Sequence, residues 1–279
     1  DRGAEVVLVS GDATYTATYT SSARSYNVSL NVGGGTIGSG NVTSYTCGTG
    51  ATLPTDMTKD GYIFEGWYDN ESFSGAVVTV IGTSETGDKT YYAKWAILYD
   101  LVIDGVQVND TNKDDVLGNG KVSYDPETNT LTLNNATIGS IASASAIIAY
   151  TDINVKLVGV NTIESGIAFD VDGALSIGGS GSINVVSSNS GIYATGNITI
   201  TGGTINAAAS DRVISAEDSN VTISGGTVRA TATGAYGVGI AADAVILNGG
   251  TLEVIATDED GYGIVTKSGV TVNGTVIVY

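Results

Sequence analysis

Asn197-Ile198-Thr199-Ile200-Thr201-Gly202-Gly203-Thr204-Ile205 returns as Asn220-Val221-Thr222-Ile223-Ser224-Gly225-Gly226-Thr227-Val228, and again as Ala244-Val245-Ile246-Leu247-Asn248-Gly249-Gly250-Thr251-Leu252. Its closing phrase, a Thr or Ser followed by a branched apolar residue, marks seven successive repeats: Thr137-Ile138, Thr162-Ile163, Ser182-Ile183, Thr204-Ile205, Thr227-Val228, Thr251-Leu252 and Thr275-Val276. The intervals are 25, 20, 22, 23, 24 and 24 residues. A period in this range, carried by β-branched residues and glycine corners, means one supersecondary unit stacked on itself.

The type of stack follows by elimination. Leucine-rich repeats need leucines at fixed positions, and helical repeats need long glycine-free stretches of 3.6 periodicity; neither pattern is present. Three short segments recur per unit. One ends in a Gly-Ile phrase (Gly166-Ile167, Gly191-Ile192, Gly239-Ile240, Gly263-Ile264), one is the alternating run Ile198 to Thr201, and one follows the Gly-Gly corner from Thr204 to Ala209. Three strands per coil with loops of variable length describe a parallel β-helix. The drift in coil length favours the right-handed type over the rigid hexapeptide kind, with rungs about 4.8 Å apart. Period two then predicts that Ile138, Ile163, Ile183, Ile205, Val228, Leu252 and Val276 form one inward-facing ladder.

Composition agrees. Among 279 residues, 39 glycines, only 2 prolines and a hydrophobic fraction of 42% read as ordered β structure. The formal charge is -18 without a single histidine, and residues 96 to 279 hold 19 acidic against 6 basic side chains. Such a polyanion repels nucleic acid and anionic lipid, so neither is expected as a partner. The one cysteine, Cys47, forms no internal disulfide. No apolar stretch reaches about 18 residues, so no membrane insertion is expected within this chain.

Gly11-Asp12-Ala13-Thr14-Tyr15-Thr16-Ala17-Thr18-Tyr19 recurs 76 positions later as Gly87-Asp88-Lys89-Thr90-Tyr91-Tyr92-Ala93-Lys94-Trp95. Residues 1–25 are therefore expected to be the C-terminal strand remnant of a preceding module, 26–95 a complete copy, and 96–279 the β-helix with an N-terminal hairpin cap. Tandem modules imply a longer, exported parent protein.

The full copy carries Asn31-Val32-Gly33-Gly34-Gly35-Thr36, Ala51-Thr52-Leu53-Pro54, Lys59-Asp60-Gly61-Tyr62-Ile63-Phe64-Glu65-Gly66-Trp67-Tyr68 and Tyr91-Tyr92-Ala93-Lys94-Trp95. It resembles the Listeria-Bacteroides repeat, the internalin B-repeat type. The resemblance implies a small β-grasp-like module, found in tandem on bacterial surface proteins. Independently, Tyr62, Phe64, Trp67 and Tyr92 alternate in short strands and are expected in the module's core, since about 70 residues need bulky side chains to bury enough apolar area.

Residues 96 to 136 lead into the stack. Leu98 to Val108 alternates around Asp104-Gly105, a two-residue hairpin signal, and Lys121 to Leu133 pairs around Asp125 to Asn129. Such hairpins would cover the open edge of the first rung. Asp110 to Asp115 has calcium-loop spacing, but Asp115 stands where glycine is required and Lys121 where glutamate is, so no metal is expected. Leu101-Val102-Ile103-Asp104-Gly105-Val106, Gly120 to Asp125 and Asn129 to Leu133, followed by the rungs, are similar to β-helical proteins of gut and soil bacteria described as carbohydrate-binding. That resemblance implies polysaccharide binding and transfers no individual residue.

Catalysis is not expected, and no cofactor is called for. Hydrolases of the polygalacturonase kind use a Gly-His-Gly phrase beside their aspartates, and lyases need clustered carboxylates with a basic residue. The rungs hold only Lys156, Arg212, Arg229 and Lys267, and Asp170 with Asp172 has no obvious basic neighbour. Sugar binding needs a planar aromatic with carboxylates or amides beside it. Tyr236 and Tyr262 stand at the same variable corner of adjacent coils, with Asp258 and Asp260 alongside, and are the candidate ligand-binding residues. A fold over the corner that merely shields the stack is the plainer role for both tyrosines.

The expectation is a non-catalytic bacterial cell-surface protein, extracellular or cell-wall associated. Its β-helix, displayed on tandem repeats, would bind glycan or a host or neighbour surface protein. The alternative is a polysaccharide-active β-helix enzyme.

Overall fold

The structure is a computed structural model that describes residue 11, residues 23–139, 144–216 and 218–273, and the backbone of 275–278. The expected strand remnant at 1–25 thus lies outside the described residues, apart from Gly11 and positions 23–25. The described residues hold strands and turns without an α-helix. They divide into two compact units, one of Asp1–Lys59 with Phe64–Trp95, the other of Asp60–Ile63 with Ala96–Tyr279.

The larger unit is a parallel β-helix with three sheets. The corner sheet contains Thr137–Ile138, the first halves of Val160–Val171 and Ser182–Ala194, then Thr204–Ala209, Thr227–Ala232, Thr251–Ala256 and Thr275–Val278. The second sheet contains Ser145–Ala149, the second halves of the same two long strands, Arg212–Ala216, and the starts of Val238–Leu247 and Tyr262–Val272. The third contains Thr130–Asn134, Ile153–Val158, Leu175–Gly179, Ile198–Ile200, Val221–Ile223 and the ends of those last two strands. Every pairing between successive coils is parallel, as a chain that always winds the same way requires.

Alternation fills the interior. Ile205, Val228 and Leu252 are wholly buried, while Asn206, Arg229 and Glu253 stand between them and the next inward residues Ala207, Ala230 and Val254. The predicted ladder needs one correction. Ile138 does pair with Ile163, and Ile183, Ile205, Val228 and Leu252 pair in succession, but Ile163 pairs with Val185, and Ile183 pairs with Asn161. Two inward ladders therefore run side by side, offset by two residues. In register, the corner passes from Val160 to Ser182, Thr204, Thr227, Thr251 and Thr275, at intervals of 22, 22, 23, 24 and 24. Leu252 pairs with Val276 in the backbone, whose side chain lies outside the described residues.

The Gly-Ile column is displaced as well, by two residues in the opposite direction. Ile192, Ile214, Ile240 and Ile264 are in line, but the residue above Ile192 is Phe169 rather than Ile167. A one-residue register shift between Ser165 and Ile167 precedes both positions.

The Gly-Gly corners have a steric cause. Gly203, Gly226 and Gly250 have φ of 82°, 80° and 79°, in the left-handed region. A Cβ on Gly226 would lie 2.4 Å from the Gly203 carbonyl oxygen, and one on Gly250 would lie 2.5 Å from that of Gly226. Stacked corners this tight exclude side chains.

Two hairpins lie at the upstream end. Val106–Asn109 folds back on Lys89–Ile103 through Asp104 and Gly105, both at positive φ. That long strand runs antiparallel to Ser145–Ala149, with Ile103 opposite Ile147. Val122–Asp125 covers Thr130–Asn134 in the same sense.

In the smaller unit, Ser25–Asn31 pairs antiparallel with Ser44–Thr46 and parallel with the start of Lys89–Ile103. Its core gathers Val28, Tyr45, Leu53, Trp67, Ile81, Tyr91 and Ala93, with Phe64 and Trp95 partly buried against them. Tyr91, rather than the expected Tyr92, is the buried member of its pair, and Tyr62 stays outside the cluster. The strand parity set by Ala93 decides between the two tyrosines. Phe64 and Trp67 are three residues apart yet touch edge to face, with centroids 5.5 Å apart. Gly66, at φ 137°, resets the alternation between them.

Candidate functional site

The corner between the corner sheet and the second sheet carries the tyrosines singled out from sequence. Thr227–Ala232 ends there in a tight turn, the amide of Gly237 donating to the carbonyl of Gly234 at 3.0 Å. The next coil repeats the device, Gly261 donating to Asp258 at 3.0 Å. The Tyr262 amide donates to the Gly237 carbonyl at 2.8 Å, and Tyr262 pairs with Val238. Tyr236 is therefore level with Asp260. Tyr262 stands one rung on and two positions along, so the two tyrosines share a corner without sharing a position.

Both rings face solvent, Tyr236 at 65% and Tyr262 at 56% exposure, and they make no ring contact with each other. Tyr236 has φ 61°, a left-handed conformation that a bulky residue adopts at a cost of about 1–2 kcal/mol. Asp258 is spent locally, its Oδ1 accepting from the Asp260 amide at 3.0 Å, whereas Asp260 is exposed.

A cleft of about 260 Å³ opens on the outer side of the second sheet. It is lined by Arg212, Asp218, Ala241, Ala242, Val265, Thr266 and Lys267. Lys267 donates through Nζ to Asp218 Oδ1. This bond, reinforced by the opposite charge, holds the Asp218 carboxyl below its usual range and the Lys267 ammonium above its own. Sequence reasoning missed this pairing because 49 residues separate its members. Two coil lengths of 24 and 25 would have brought them together.

Other polar features are turned to holding the coils. Asp170 accepts from Ser145 Oγ and Asp172 from Thr195 Oγ1, each at 3.2 Å, so the pair considered for lyase chemistry serves neighbouring rungs. Asn206 Nδ2 donates to Asn184 Oδ1 at 3.0 Å, and Arg229 Nε lies 3.4 Å from Glu253 Oε2. In a cleft of about 340 Å³ on the third sheet, Asp152 Oδ1 accepts from the Ala174 amide at 2.7 Å and Asn197 Oδ1 from the Asn220 amide at 2.9 Å.

At the suspected calcium loop, Asp115 Oδ1 accepts from the amides of Asn119 and Gly120, and Asp110 Oδ1 from the Tyr99 hydroxyl. Asp115 is thus turned into its own loop and Asp110 towards the strand Lys89–Ile103. Burial and the Asp110 bond push Tyr99 up to about 12. Among the described residues there is no group of three metal-ligating side chains and no helix long and apolar enough to cross a membrane.

In the smaller unit the conspicuous aromatics are structural. Trp67 Nε1 donates to the Pro54 carbonyl at 2.7 Å, Trp95 Nε1 to that of Val32 at 2.9 Å, and Tyr45 Oη to that of Gly87 at 2.7 Å. Phe64 bridges the two tryptophans, with centroids 5.5 and 5.3 Å away. The Gly-Tyr-Ile-Phe-Glu-Gly-Trp-Tyr phrase thus builds a core. Residues 26–94 match the Listeria-Bacteroides repeat domain. No curated protein and no solved structure matches the chain. A Listeria-Bacteroides repeat beside a β-solenoid fits a surface-type repeat protein. Phe64, Trp67, Trp95, Tyr45 and Tyr91 of the repeat are engaged in its own core, while the most exposed aromatics among the described residues, Tyr236, Tyr150 and Tyr262, lie on the solenoid.

Proposed function

We propose that this chain is the binding part of an extracellular, cell-surface protein, in which the β-helix holds glycans without cleaving them. The Listeria-Bacteroides repeat acts as its tether. The observation that carries this reading is the exposed pair Tyr236 and Tyr262 on adjacent coils, one of them held in a strained backbone conformation. Exposed planar rings offer an apolar face to a pyranose, and Asp260 beside them accepts from its hydroxyls. The Gly234–Gly237 turn sets the left-handed φ of Tyr236 and keeps its ring exposed at the corner.

Binding without cleavage is supported by the engagement of Asp170 and Asp172 with hydroxyls of neighbouring coils. A general acid and base must instead face a common substrate position. The test is titration of plant and mucin glycans against the full chain and against a Tyr236→Ala, Tyr262→Ala double variant. The double variant is expected to lose binding while keeping its fold; unchanged affinity would remove the site.

A further inference from the structure

We propose that the cleft on the third sheet is a second sugar site, which takes one neutral pyranose ring. It involves none of the residues of the Tyr236 and Tyr262 corner and stands or falls without it.

The cleft follows from side-chain length. Asn154, Ser176 and Thr199 pair in succession across three coils, and Asp152, Ala174 and Asn197 form the outward column two positions before them. At about 4.8 Å per rung and 3.3 Å per residue, the six positions cover about 10 by 7 Å. The middle coil contributes the two short side chains, Ala174 and Ser176, and the coils on either side contribute longer polar ones. The result is a depression of about 340 Å³ with a small-residue floor and polar walls.

The fold itself orients the polar groups of those walls. Asp152 Oδ1 accepts from the Ala174 amide at 2.7 Å, which leaves Oδ2 as an acceptor without a partner among the described residues. Asn154 Nδ2 donates to the Thr128 carbonyl at 3.1 Å, so its Oδ1 is a second acceptor on the same coil. On the far coil, Asn197 Oδ1 accepts from the Asn220 amide at 2.9 Å, so its Nδ2 presents donors. The Ser176 and Thr199 hydroxyls add groups that both donate and accept. Neighbouring sugar hydroxyls do the same, so acceptors on one wall and donors on the other match them. Because bonds within the stack already set these orientations, binding carries a smaller ordering cost.

The aromatic partner is Tyr150. It is 57% exposed, its amide donates to the Asp100 carbonyl at 3.0 Å, and it lies in the turn between Ser145–Ala149 and Ile153–Val158. Its Cα is therefore no more than about 7 Å from that of Asp152. A planar ring beside a polar depression serves both sides of a pyranose, its apolar face and its hydroxyls. The lining holds one carboxylate, Asp152, and no cation; Lys156 stands outside it, two positions beyond Asn154. An anionic sugar would meet Asp152 with no cation in the lining to pair with, so the ligand class is neutral.

The experiment is titration of the full chain, followed by NMR, with methyl β-glucoside, methyl β-galactoside and methyl α-mannoside, and with glucuronate as the anionic comparison. At least one neutral glycoside is expected to saturate a site with a dissociation constant of about 1–10 mM, and glucuronate to bind more weakly. Asn197→Asp keeps an oxygen for the Asn220 amide and removes the donors, so it is expected to weaken the glycoside about fivefold or more without lowering the melting temperature. Ala174→Gln, which lengthens an outward side chain on the floor, is expected to exclude the ring. The Tyr236→Ala, Tyr262→Ala double variant is expected to leave this titration unchanged. Unaltered binding in Asn197→Asp and Ala174→Gln would overturn the site while leaving the corner reading intact, and so would a full chain that binds none of the glycosides. Loss of binding in the double variant alone would assign it to the corner and overturn the second site. Glucuronate binding as tightly as the glucoside would overturn the neutral ligand class.

Discussion

Asn161 stands directly in register with Ile183, at the head of the ladder that Ile205, Val228 and Leu252 continue. It is wholly buried, and its amide is fully engaged. Oδ1 accepts from the Ala136 amide at 2.9 Å, and Nδ2 donates to the carbonyls of Val158 at 3.1 Å and Ser182 at 3.0 Å. One side chain thus ties three successive corners at the place where the two inward ladders change over. Asn161→Leu keeps the volume and the inward direction but leaves buried backbone groups unpaired, and is expected to cost about 3 kcal/mol in chemical denaturation. An unchanged midpoint would mean that the position asks only for bulk.

Ile205 tests the apolar ladder itself. It is fully buried between Ile183 and Val228. Ile205→Ala is expected to cost about 3 kcal/mol, from lost transfer energy and the cavity left behind. Ile205→Asp is expected to unfold the solenoid, because no cation reaches that interior. A thermal melt of Ile205→Asp indistinguishable from wild type would contradict the assignment.

The corner glycines separate two costs that are often merged. Gly226→Ala forces a Cβ against the Gly203 carbonyl as well as into a left-handed φ, and is expected to destabilise by about 2 kcal/mol or more. Gly105, at φ 77°, has open space around its missing Cβ, so Gly105→Ala bears the conformational term alone, about 1 kcal/mol. Equal losses in the two variants would show that the stacking clash relaxes away.

The solenoid is legible in the sequence because its glycine corners and its alternation are both local signals. The changeover at Asn161 is not. Thr162-Ile163 repeats the corner phrase two residues late, and a slip of two leaves every inward residue inward, so alternation cannot detect it. A lone asparagine in that position reads as a turn until its three partners are known. The sequence points to Tyr92 instead of Tyr91 for a related reason: adjacent aromatics differ only in strand parity, which the partner strand sets through Leu30 opposite Tyr91. At the candidate site, the exposed tyrosines announce themselves by their glycine neighbours. The Lys267 and Asp218 pair stays hidden because the contact joins coils that are not neighbours in sequence.

Tyr99 gives a pH signature in the lead-in to the stack. Its folded value near 12 lies above the unfolded value of about 10, so the stabilisation it brings is complete below about pH 10 and is lost as pH rises through 12. Tyr99→Phe removes this titration together with the 2.8 Å bond to Asp110, and is expected to be about 1 kcal/mol less stable at neutral pH. The gap between the two proteins should close between pH 10 and 12 in urea titrations. A gap that stays constant over that window would mean that the Tyr99 hydroxyl ionises as freely as in the unfolded chain.

The central claim, glycan binding at the Tyr236 and Tyr262 corner without cleavage, is tested most directly by one paired measurement. The full chain is incubated with each glycan it binds, and affinity and released fragments are followed in the same sample. The account predicts saturable binding that the Tyr236→Ala, Tyr262→Ala double variant loses by about tenfold or more, with the glycan recovered at its original length. Shortened products that accumulate with time and depend on the chain would contradict it.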